Sequence, residues 1–152
     1  MPESLNDLLI RLDVCQSAKD WAKTQPDLAT AWQNCRRADW MIWLLKRMGY
    51  KDPKNYRLIA CACVRDTPLT DGRKVWDLLT DERSRTGVEV SERFANGEVT
   101  EQEMDAARAA AGAAGVAAWA TAGNAAWAAA WAAARDAAQS DIIRRYLPVC
   151  PV

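Results

Sequence analysis

Between residues 106 and 138, 21 of the 33 positions are alanine. Alanine is the strongest helix former because its side chain surrenders no rotamer freedom. The stretch therefore predicts helix throughout. It buries little area per residue, so bulk must come from Trp119, Trp127 and Trp131, which punctuate it. Its start is marked by Thr100 and Glu103, a capping-box pair in which hydroxyl and carboxylate each serve the other's free amide. An unbroken helix over 101–146 would be on the order of 70 Å long at 1.5 Å per residue. A domain of this size has a radius of gyration of only about 15 Å. Gly123 beside Asn124 offers a C′ glycine next to an N-cap asparagine, and predicts two helices folded back as a hairpin. Gly112 and Gly115 are expected where the backbones approach closely.

The chain before this region carries the signals of several short helices. Ser4, Ser17, Asp39 and Asp52 stand at expected N-caps, with Pro53 in the first turn behind Asp52; Asp27 to Cys35 reads as a further helical run, and Thr80, Asp81 and Glu82 open another. Gly49 and Gly97 stand where left-handed C′ residues end helices. Tyr56, Ile59, Ala60 and Cys63 share one helical face, and 76–79 reads as a short apolar turn. β-Branched residues never alternate with polar ones over a strand's length. The expected fold is all-α, a single domain over 1–152 with a short-helix half at 1–97 and an Ala/Trp-rich hairpin at 98–148.

Charge and cysteines narrow the function classes. Twenty basic and 20 acidic residues cancel, which argues against a sequence-specific nucleic-acid binder or a polybasic membrane module. The 26 residues of 109–134 carry no charge, more than the roughly 20 needed to span a bilayer. Alanine is only marginally apolar, however, and the glycines and tryptophans sit mid-span instead of at the ends. No membrane association is expected. Five cysteines, an odd number without a secretory leader, suit a cytoplasmic protein with free and mostly buried thiols. There is no histidine, which removes the commonest general base and metal ligand. No enzyme activity, metal or cofactor is expected.

Six residues are candidates for binding: the indoles Trp32 and Trp76 and the arginines Arg36, Arg37, Arg83 and Arg85. An indole can stack on a base and a guanidinium fork suits phosphate or carboxylate, so together they could hold a nucleotide. They also have a plainer reading. Trp32, Trp40 and Trp43 fit a core with Arg47 snorkelling beside them, and Asp39, Asp81 or Glu82 could simply pair with the arginines. Arg144 and Arg145 suit the negative end of the last helix, and Glu98, Glu101, Glu103 and Asp105 the positive start of theirs.

Several segments resemble known sequences. Residues 31–35 (AWQNC), 38–45 (ADWMIWLL) and 57–63 (RLIACAC) resemble the immunity proteins associated with bacterial polymorphic toxin systems. Residues 76–85, 88–97 and 141–148 resemble uncharacterised bacterial and phage-encoded proteins with Ala/Trp-rich tails. Where members of such families carry a cysteine pair before the loop, this chain has Val64 and Arg65. The resemblance implies a non-enzymatic protein that neutralises a protein target, a toxin or a component of host defence. It supplies no binding residues. The alternative is a small-ligand binder that sequesters a nucleotide. The long alanine face is expected to be covered by the target or by a second copy, which makes a homodimer the expected state.

Overall fold

Helix boundaries follow from which side chains satisfy the free amides of each first turn. A computed structural model describes residues 3–69, 71–122 and 137–152, the side chains of 115–122 excepted. Among the described residues there are eight α-helices: α1 (Leu5–Arg11), α2 (Gln16–Ala22), α3 (Leu28–Asn34), α4 (Ala38–Arg47), α5 (Pro53–Asp66), α6 (Glu82–Ala95), α7 (Glu101–Ala122) and α8 (Ala137–Tyr146). A 3₁₀ turn, Val75–Leu78, precedes α6, and the only strand-like pairing among these residues is a single bridge between Pro68 and Lys74. The protein is all-α.

Ser4, Asp27, Asp52 and Asp81 each accept a backbone N–H at a helix start, an interaction worth about 1 kcal/mol. Thr100 and Glu103 close the capping box reciprocally, at 3.2 and 2.7 Å. Two expected caps lie elsewhere. α2 starts at Gln16 with Cys15 as its N-cap, and Ser17 lies inside the helix, its hydroxyl 3.4 Å from the Cys15 sulfur. α4 starts at Ala38 with Arg37 as its N-cap, so Asp39 lies inside the first turn, its carboxylate held by the Arg37 fork at 2.8 and 2.7 Å.

Three helices end in the same way. Gly49 and Gly97 adopt positive φ, and the two amides from each glycine onward bond back into the last turn. Asp13, with φ +54°, does the same for α1: its N–H reaches the Ile10 carbonyl and that of Val14 reaches Leu9. Aspartate tolerates this region better than most residues, so α1 stops without a glycine.

The main core joins α3, α4, α5 and α8. Trp32, Met41, Leu45, Ile59, Ile143 and Leu147 are its large buried members, and Leu45 is 0 % exposed. Burying a side chain of this kind contributes about 1.5–3 kcal/mol, so the end of the chain is part of what holds the N-terminal half together. On α5, Ala60 is exposed, contrary to the expected face. Tyr56, Ile59 and Cys63 meet the main core, while Cys61 turns towards α6 and its thiol lies 3.8 Å from the Val88 carbonyl. A second cluster, Leu8, Leu12, Val14 and Ala18, joins α1 to α2.

α6 and α7 pack through small residues. A Cβ placed on Gly87 would lie 2.9 Å from that of Ala111, so glycine is required for this approach. Gly112, expected at a close contact, is open: a Cβ there would meet nothing within 4 Å. At 100° per residue, turning Ala111 towards α6 turns Gly112 away from it. The break at Gly123 and Asn124, the folded-back hairpin, Trp127 and Trp131 lie outside the described residues, as do the surroundings of Gly115 and the side chain of Trp119. No helix among the described residues is long and apolar enough to cross a membrane.

Candidate functional site

Three helices of seven residues and one of ten cannot close completely around large indoles. Between α1, α2, α3 and α4 they leave an apolar groove of about 740 Å³, within the roughly 300–1,000 Å³ of small-molecule and side-chain sites. Four of the eight tryptophans line it: Trp21, Trp32, Trp40 and Trp43. The rings of Trp21 and Trp40 lie 5.8 Å apart, tilted by 53°. Leu5 and Leu9 of α1 form the opposite wall. Trp43 is 40 % exposed, so the apolar surface continues from the groove onto the outside of α4.

The rim is polar. The Arg37 guanidinium lies 4.6 Å from the centre of the Trp40 ring while its fork holds Asp39, and this bond keeps the Asp39 carboxyl below its usual pKa. Cys15 is exposed at the same rim. Its thiol is pulled below the ordinary value by the Ser17 hydroxyl, then by the Ala18 amide, with a smaller contribution from the Arg37 charge. The other four cysteines behave oppositely. Burial raises Cys35, Cys61 and Cys150, and lifts Cys63 to about 11. All five thiols are free.

Trp32, a candidate for base stacking, is 2 % exposed, and its indole N–H donates to the Leu147 carbonyl at 2.9 Å. It belongs at once to the core and to the floor of the groove. The floor is fixed by Arg144, which donates to the carbonyls of Trp32 (2.8 Å) and Cys35 (2.9 Å), where α3 ends, and to Asp141. The carbonyls it serves belong to α3 and its end, not to its own helix, which no sequence spacing announces. Arg36 is exposed and has no hydrogen bond or ion pair among the described residues.

Of Trp76, Arg83 and Arg85, the fold brings the first and last together. Trp76 is half-buried, with Arg85 5.3 Å and Arg65 4.4 Å from its ring centre. Arg65, not anticipated from sequence, also forks Glu92 at 2.5 and 2.8 Å. Arg83 turns away and forks Asp81, holding that carboxyl down to about 2. No hydrogen bond or ring contact among the described residues connects this group to Trp32, Arg36 and Arg37. Among the described residues, no three Cys, Asp or Glu side chains converge as metal ligands would. No protein-family model, curated protein or solved structure matches the chain.

Proposed function

We propose that this protein acts by binding, holding an apolar segment of a protein target in the groove between α1, α2, α3 and α4, and that it neutralises the target by doing so. The observation that carries the reading is the groove itself. Four indoles and four leucines form a concave apolar surface that runs out onto exposed Trp43. Binding energy at protein interfaces concentrates in such aromatic pockets, ringed by polar groups that exclude water. The Arg37–Asp39 pair and the Cys15 rim fit that pattern. The charges of the pair cancel, which suits an apolar insert better than an ionic one.

A nucleotide at Trp32, Arg36 and Arg37 fits less well. Stacking would require exposing a buried indole that bonds Leu147, and Arg37 would have to release Asp39. The target reading is tested by affinity capture from the native host with wild-type protein and with Trp43→Glu and Leu9→Glu variants, each checked for an unchanged melting temperature. The expected result is a partner retained by the wild type and lost from both variants. Retention by folded variants would exclude the groove. In the same proposal a second copy covers the outer face of α7, where Ala106, Ala109, Gly112 and Ala113 are exposed. Light scattering reads this directly, and a monomer at tens of micromolar would exclude it.

A further inference from the structure

We infer that Arg85, with Arg65 beside it on the Trp76 ring, is a seat for an oxyanion, a phosphate or carboxylate group of a small ligand. Two guanidiniums within 4.4 and 5.3 Å of one ring centre place two positive charges on one indole. Only one of them is neutralised. Glu92 takes both donors of the Arg65 fork, and Glu89 adds a weaker field at the same arginine. The Arg85 side chain has no hydrogen bond or ion pair among the described residues; its backbone N–H is bonded, to the Asp81 carbonyl. Its Nε is buried without an acceptor, whereas the two terminal nitrogens are not closed off in this way.

This combination is uncommon. Buried N–H groups without a partner are rare in native proteins, and a stacked, partly buried guanidinium has already given up much of its freedom. Arg85 is therefore a guanidinium held in place without an acceptor, its buried Nε fixed against the fold. Its terminal nitrogens are the donors an anion can reach, an arrangement that lowers the ordering cost of binding one. Arg83, two residues earlier, gives the contrast: it is exposed, and Asp81 already fills its fork. Partial burial of the Trp76 platform weakens solvent screening, so an anion gains more at Arg85 than at an isolated surface arginine.

The test is a titration of the full-length protein with inorganic phosphate and, separately, with acetate. Ionic strength is balanced with chloride, and melting temperature and calorimetric binding are followed. At least one of the two anions should raise the melting temperature saturably beyond chloride, and the stronger response identifies the ligand class. Arg85→Ala should abolish the response and Arg83→Ala should keep it. Arg85→Lys retains the charge but loses the fork, and should bind about tenfold more weakly; it decides the matter if Arg85→Ala does not fold. Anions indistinguishable from chloride, or a response unchanged in Arg85→Ala or Arg85→Lys, would overturn the assignment.

Discussion

The groove region and the α6–α7 seam solve opposite packing problems. Around the groove, short helices carry the largest side chains in the chain, and bulk on short elements leaves about 740 Å³ of space. Along the seam, helices of 14 and 22 residues meet through Gly87 and Ala111, close enough that a single added Cβ would collide. Close approach thus comes from small residues on long helices, and open apolar space from indoles on short ones. The first arrangement gives rigidity; the second leaves a surface for another molecule.

The comparison can be broken most severely at the groove floor. Arg144→Met removes the donor from the carbonyls of Trp32 and Cys35. Its side chain is only 15 % exposed, and leaving two such groups unpaired costs about 2–4 kcal/mol, read as a lower midpoint in urea unfolding. Gly87→Leu attacks the seam, and overpacking there should cost about 1–3 kcal/mol. Ser17→Leu adds bulk at an exposed position lining the groove, and should change stability by about 1 kcal/mol or less while blocking the proposed target. If Gly87→Leu and Ser17→Leu cost the same, the contrast between the regions is wrong. Gly112→Ala, on the open side of α7, should stabilise by about 0.5–1 kcal/mol, because alanine restricts the unfolded chain and favours helix.

The smallest expected effect leaves stability untouched and reads the rim chemically. Cys15 should be the first thiol alkylated, with its rate rising at lower pH than that of an ordinary cysteine, since thiolate is the reactive form. Cys63 should stay a thiol until about pH 11. Its folded pKa is raised, so its contribution to stability is complete below the unfolded value near 9.0 and declines as pH climbs towards 11. Mass spectrometry after timed labelling distinguishes the sites. Equal rates at Cys15 and Cys63 would contradict the placement of both.

Much of the fold was legible because its signals are local. Asp52 with Pro53, Thr100 with Glu103, and the glycines at 49 and 97 act through neighbours a few residues away, and each acts as its spacing predicts. The readings that moved were those in which a side chain had a choice. Asp39, an expected cap, instead sits in the first turn of α4 with its carboxylate held by the Arg37 fork. Asp13 replaced a glycine at a helix end, a substitution no pattern marks.

The sequence by itself determined that the chain is helical and where most of its helices begin and end, since propensity and capping depend on residues within a turn. It also placed Trp76 and Arg85 among the candidate binding residues without pairing them, and the fold brings them to 5.3 Å. Only the tertiary structure decided that Arg144 fixes the end of α3, that Arg65 joins Trp76, that Gly87 and not Gly112 is the close contact, and that four indoles share one groove. Each of these depends on which faces of distant helices meet. That is set by packing over the whole core, where residues more than 100 positions apart, such as Trp32 and Leu147, become neighbours.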